Sequence, residues 1–138
     1  MADASILIPK YVQKALEDSQ EIKAIIGDRE HAIFPLLQHA PLTFPYIEHF
    51  RQSLNVTYTK DIVYGMGWTN TIQYVVSCVS KDYVQGLELA NAVRHTLEGY
   101  YYKDDNIHIN PIMLQNVSEY PIEDEAIVQE LTFTIQAE

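Results

Sequence analysis

Along the first quarter of the chain, apolar residues recur at steps of three and four. From about Ile8 to Leu16 the positions Tyr11, Val12, Ala15 and Leu16 form one stripe, which predicts a helix that tolerates Pro9 in its first turn. Asp18-Ser19-Gln20-Glu21 then reads as a fresh helix start, with Asp18 as N-cap and Glu21 answering it. That second helix carries Ile22, Ile25 and Ile26 and stops at Gly27. Beyond Arg29 the period falls to two. Ala32-Ile33-Phe34 predicts a short strand ended by Pro35, and Leu36 to Phe44 a loop bounded by prolines. A longer strand, Tyr46 to Asn55, places Tyr46, Glu48, Phe50, Gln52 and Leu54 on one mixed face, as near an edge or an interface.

Thr57 to Asn70 holds two glycines and the only tryptophan, and reads as a long hairpin or arm. Thr71 to Ser80 is the clearest strand: Val75 and Val79 point one way, Ile72, Tyr74, Val76 and Cys78 the other, so both faces are covered. A long helix follows, with Tyr83, Leu87, Ala90, Arg94, Leu97 and Tyr101 on its stripe and Gly86 inside it as a mark of close packing. Asn106 to Val117 predicts another strand and Ser118 to Glu125 an acidic loop. In the last strand Ile127, Leu131, Phe133 and Ile135 point one way and Thr132, Thr134 and Gln136 the other. The expected fold is one α+β domain over residues 1–138: a mixed or antiparallel sheet, the long helix on one face, and two short N-terminal helices.

Charge narrows the partners. Nineteen acids against nine bases leave a formal charge of −10, a field that opposes wrapping on DNA or docking to anionic lipid. The bases are scattered, without a basic stripe interleaved with aromatics. No apolar run reaches the ~18 residues of a membrane helix, and no basic n-region precedes the Ile6 to Ile8 patch, so the chain is expected to fold and remain in the cytoplasm. Ten tyrosines against four phenylalanines suit two readings: surfaces buried on assembly, or half-buried strands.

Candidate chemistry adds little. Lone Cys78 lies in an apolar run and reads as a buried, inert thiol. No two of the five histidines have the helical zinc spacing; His39 and His49, with Glu48, flank a proline-rich loop and are better read as solvated than as metal ligands. Asp104-Asp105 and Glu123-Asp124-Glu125 lack the glycine and spaced oxygens of a calcium loop. Gly65-Met66-Gly67 lacks the third glycine of a nucleotide fingerprint. No nucleophile elbow, P-loop or base-paired nucleophile occurs, so the expectation is a non-enzymatic chain with no cofactor, no metal and no catalytic residue.

In order and spacing, several segments resemble the tail completion or tail terminator proteins of tailed phages and prophages. They are the helical opening closed by Ile25-Ile26-Gly27-Asp28-Arg29, the strand ending in Phe34-Pro35, Leu42-Thr43-Phe44-Pro45-Tyr46-Ile47, the strand and helix from Ile72 to Tyr101, and the acidic Glu119-Tyr120-Pro121-Ile122-Glu123-Asp124. His31-Ala32 and the aromatic Tyr58 to Trp68 arm depart from the pattern. The resemblance implies a non-enzymatic ring, often a hexamer, at the head-proximal end of the tail tube, where it stops tube growth and joins tail to head. Implied partners are other copies of the chain, a tail tube protein and a head-completion protein, with DNA passing unbound through the virion neck. A ring needs two different patches per subunit. Candidates for such patches are Tyr46, Phe50, Tyr58, Tyr64, Met66 and Trp68. Asp104, Asp105, Glu119, Glu123, Asp124 and Glu125 are candidates for an acidic lumen or rim. The rival from another class is a small host ligand-binding or regulatory α+β domain.

Overall fold

The computed structural model describes residues 5–27, 32–36, 43–58, 68–123 and 125–137. A 3-10 turn leads into helix α1 (Ile8–Glu17), then come α2 (Gln20–Ile26), strands β1 (Ile33–Pro35), β2 (Tyr46–Tyr58) and β3 (Trp68–Ser80), helix α3 (Tyr83–Leu97), and strands β4 (Tyr102–Lys103), β5 (His108–Ile109), β6 (Met113–Ile122) and β7 (Ala126–Ala137). The described strands form one sheet in the order β1-β2-β3-β7-β5-β4, with β6 also on β7. Only β1 with β2 is parallel; the other pairs are antiparallel. The α+β expectation therefore holds, with a mixed sheet. All three helices feed one core cluster on one sheet face, through Ile8, Val12, Leu16, Ile22, Leu89 and Val93.

Local chemistry explains where sequence and structure part. Ser19, not Asp18, caps α2: its Oγ accepts the Ile22 N–H at 3.3 Å, while Asp18 is the last residue of the α1 end. Gly27 closes α2 at a φ of +72°, where a side chain is strained. In β2 the ladder shifts register between Arg51 and Ser53, so the expected single face of Tyr46, Glu48, Phe50, Gln52 and Leu54 does not exist. Ile47 packs on the helix side before the bulge, and Leu54 joins it after the bulge. The stripe of α3 is also rotated. Its buried face is Gly86, Leu89, Ala90, Ala92, Val93 and Leu97, whereas Tyr83, Leu87 and Arg94 are exposed and Tyr101 lies beyond the helix. A methyl on Gly86 would stand 3.5 Å from the Ser80 Cβ, an ordinary contact, so packing does not require glycine there.

The C-terminal half holds the largest correction. Asn106 to Val117 is not one strand; β5 and β6 are separated there, and Ser118 to Ile122, expected as loop, continue β6. Only the turn at Glu123 and Glu125, with Glu125 N–H donating to the Ile122 carbonyl at 3.0 Å, joins β6 to β7. The β3 expectation is met. Ile72, Tyr74, Val76 and Cys78 enter the main core, and Val79 joins a smaller cluster with Phe34, Tyr46, Ala126 and Val128 on the other face. Cys78 is buried, and burial pushes its thiol far up, away from thiolate chemistry.

One buried polar network ties α1 to the sheet. His49 is fully buried; Tyr74 Oη lies 2.6 Å from its Nδ1 and Gln13 Oε1 2.6 Å from its Nε2. The Gln13 amide nitrogen donates to the Ile33 carbonyl and to Glu17, groups that only accept, so its oxygen must face His49. His49 is therefore the neutral Nε2–H tautomer, donating to Gln13 and accepting from Tyr74. Every hydrogen-bonding atom of the imidazole is matched.

Candidate assembly surfaces

The helices cover β2, β3 and β7 but leave β6 bare. Of its ten residues only Leu114 is half-buried, and its outer edge has no partner strand among the described residues. On the helix side of this edge Val117 is 47% exposed, beside the α3 flank where Tyr83 is 44% and Leu87 41% exposed. Glu119 lies between them, accepting from Tyr83 Oη at 3.1 Å and from Gln129 Nε2 at 2.7 Å. Exposed apolar groups clustered on an unpaired strand mark a contact surface. Sequence reasoning missed Tyr83, Leu87 and Val117, because the first two were assigned to the apolar stripe of the helix and the third to the end of a strand, Asn106 to Val117, with no face assigned.

Tyr46, proposed for the interface, is packed inside the subunit instead: its ring stacks on Phe34 at 5.5 Å and touches Phe44 at 5.6 Å. Phe50 is half-buried on the same helix-free face. Tyr58 and Trp68 pair through their backbones at the last rung before the β2–β3 connection; Tyr64 and Met66 lie outside the described residues, as do Asp124 and His39. On β2, β3, β6 and β7 the described positions that point away from the helices are mostly Thr, Ser, Asn and Gln. The only charges among them are Glu48 and Glu130, both acidic. Burial raises the Glu48 carboxyl above its usual range.

The proposed acidic residues divide into two places. Asp104 belongs to the β4–β5 turn, accepting from the Asn106 N–H at 2.7 Å, the Ile107 N–H at 2.9 Å and Tyr102 Oη at 2.9 Å. These bonds, that of Asn106 first, hold its carboxyl below the usual range. Asp105 is exposed in the same turn. Glu119, Glu123 and Glu125 belong to the β6–β7 hairpin. Ile109 of β5 pairs with Ala137, whereas the hairpin turn abuts Ala126, so the two acidic groups flank opposite ends of β7, roughly 36 Å apart at ~3.3 Å per residue.

A cleft of about 670 Å³ opens beside α1, lined by Lys10, Tyr11, Lys14, Thr96, Tyr100 and Tyr102 among others. The Tyr11 and Tyr102 rings pack 5.3 Å apart on its wall. Among the described residues no group of three or more histidines, cysteines or acids is placed to hold a metal ion, and no helix is long and apolar enough to cross a membrane.

No protein-family profile matches the chain, and no curated protein matches it in sequence. In fold it is similar to a chain in the solved virion of a native gene transfer agent (GTA) particle, with a TM-score of 0.72 over 91% of this chain and 90% of that one. The two are 16% identical, so the likeness is one of fold.

Proposed function

We propose that this chain is a non-enzymatic structural protein of a tailed-phage or prophage particle: a tail terminator that closes into a ring, caps the tail tube and joins tail to head. The observation that carries the reading is the near-complete match of its fold to a virion chain, over about nine-tenths of both. The ordered segments that resemble tail terminators run over the same length of sequence. A bare apolar edge at β6 supplies one of the two patches a head-to-tail ring needs. The helix-free sheet face, polar with two acids, suits a channel wall along which DNA slides without being gripped. In this reading Glu48 and Glu130 join the acids that repel phosphate.

Ring formation is read most simply from native mass, on the free protein and on protein bound to tail tubes. One subunit is 15.9 kDa, and the expected assembly is a hexamer of roughly 95 kDa. A two-fold dimer that persists on dilution, with no ring on tail tubes, would contradict the reading. The cleft beside α1 favours a second reading, a small ligand-binding domain, since its volume lies in the range of small-molecule sites. A particle-free host carrying this chain next to metabolic genes would support that alternative.

A further inference from the structure

We infer that the β6–β7 hairpin of one copy seats in the α1 cleft of the next copy, and that this contact is the head-to-tail joint of the assembly. The inference rests on the ring reading and names the two patches that reading requires. Its first support is where charge lies in the chain. After Lys103 there are eight acids and no lysine or arginine, so the hairpin itself carries only negative charge. The base at this end of the sheet, Lys81, follows Ser80, the ladder partner of Ile127, and its ammonium lies over the Phe44 ring. Glu123 and Glu125 are exposed at its turn, and Ile122 beside them is an exposed apolar side chain. Glu123 adopts a φ of +45°, the tight bend that makes the hairpin end narrow.

The cleft has the complementary features. Lys10 and Lys14 are exposed on one face of α1, four residues apart and so adjacent on the helix, and neither ammonium has a carboxylate partner among the described residues. Asp18 and Asp104 also line the cleft, and the two backbone N–H groups and the tyrosine hydroxyl on Asp104 favour its charged form. The positive charge is therefore local to the Lys10–Lys14 edge of α1, where the hairpin acids would sit. Tyr11 and Tyr102 give the wall an aromatic surface against which Ile122 can pack, and the volume of about 670 Å³ admits a hairpin tip of a few side chains. Tyrosine at the centre of a contact with charged groups around it is a common interface composition.

Geometry prevents a copy from satisfying itself. Tyr83, which touches Glu119 of the hairpin, opens α3; Thr96, which lines the cleft, stands near its end. Thirteen residues at ~1.5 Å each separate them by roughly 20 Å. Two different patches at opposite ends of one helix give a heterologous contact, which closes into a ring when the rotation per copy allows it. Seating the hairpin would also bring the bare shelf of Tyr83, Leu87 and Val117 against the neighbour.

Charge exchange tests this with three variants, their association followed by native mass and by binding to tail tubes at low and at ~0.5 M salt. Lys10→Glu with Lys14→Glu, and separately Glu123→Lys with Glu125→Lys, should each weaken association at least about tenfold while leaving the circular-dichroism melt unchanged. All four substitutions in one chain should restore association, since every joint then pairs opposite charges again. An equimolar mixture of the two half-reversed proteins should also associate, since in alternating order every joint pairs opposite charges, and a mixture that stays apart would count against this joint. If wild-type protein forms rings and both half-reversed proteins do so equally well, this joint is wrong and the ring reading stands. If the half-reversed proteins fail and the combined variant also fails, the contact between these particular groups is likewise overturned. A wild-type chain that forms no ring, free or on tail tubes, overturns the ring reading and this joint together.

Discussion

Between about pH 6.5 and pH 4 the folded chain should lose about 3 kcal/mol of stability through His49 alone. Burial lowers the pKa of this imidazole from 6.5 to about 4, because the charged ring would lose its hydration. A group whose folded pKa is depressed contributes stability above its unfolded pKa and gives it up as pH falls through the window. Here that window runs from 6.5 down to about 4. The hydrogen bonds explain why the fold resists protonation. A second proton would arise at Nδ1, which already accepts from Tyr74 Oη, and Gln13 faces the other nitrogen with its oxygen. Glu17, bonded to Gln13, and Arg51, whose field lowers the Tyr74 hydroxyl against a larger rise from burial, are the nearby charges. Urea unfolding at pH 7 and pH 4.5 reads the effect. His49→Gln, which keeps one donor and one acceptor, should be less stable at pH 7 but show a flatter slope between the two. Equal slopes in variant and wild type would show that His49 does not control acid stability.

Phe133→Ala should cost about 3–5 kcal/mol. Phe133 is fully buried at the centre of β7, between its ladder partners Tyr74 on β3 and Leu114 on β6, under the helix layer. Removing the ring leaves a cavity that a strand paired on both sides cannot collapse into. For a domain with a typical stability of ~5–15 kcal/mol this is a large share. Denaturant midpoints check it, with Val117→Ala on the exposed β6 shelf as the contrast, expected to change the isolated subunit by less than ~0.5 kcal/mol. A loss below ~1 kcal/mol for Phe133→Ala would mean the sheet centre is looser than the packing indicates.

How much of this was legible depended on how locally each feature is encoded. The start of α1, the stop of α2 at Gly27 and both faces of β3 follow from periodicity and glycine, and the structure agrees. Ser118 to Ile122 was not legible as strand: the acid and Pro121 signal a loop, yet an edge strand tolerates both because one side of it makes no ladder bonds. The bulge at Gln52 leaves no mark either, since Phe50 and Leu54 have the spacing of an unbroken strand. For α3, apolar Tyr83 and Leu87 made a convincing but rotated stripe; the true one runs through the small residues Gly86, Ala90 and Ala92, whose contribution is closeness more than apolar area.

The surfaces were less legible than the fold. That no base follows Lys103 can be read directly from the chain. The cleft could not be read at all, because Lys10, Thr96 and Tyr102 come together from distant segments. The buried His49 network had only the expectation of a solvated histidine against it. A partner for an imidazole supplied by Gln13 and Tyr74, from two other elements, carries no sequence signal.

Particles assembled without this chain test the central proposal most directly, by electron microscopy of heads and tails. The expected result is filled or fillable heads lying apart from tails, with tubes no longer held to one length, and joining restored when purified chain is added back. Joined particles with tails of normal length, made in the complete absence of the chain, would contradict a role as the ring that ends the tail.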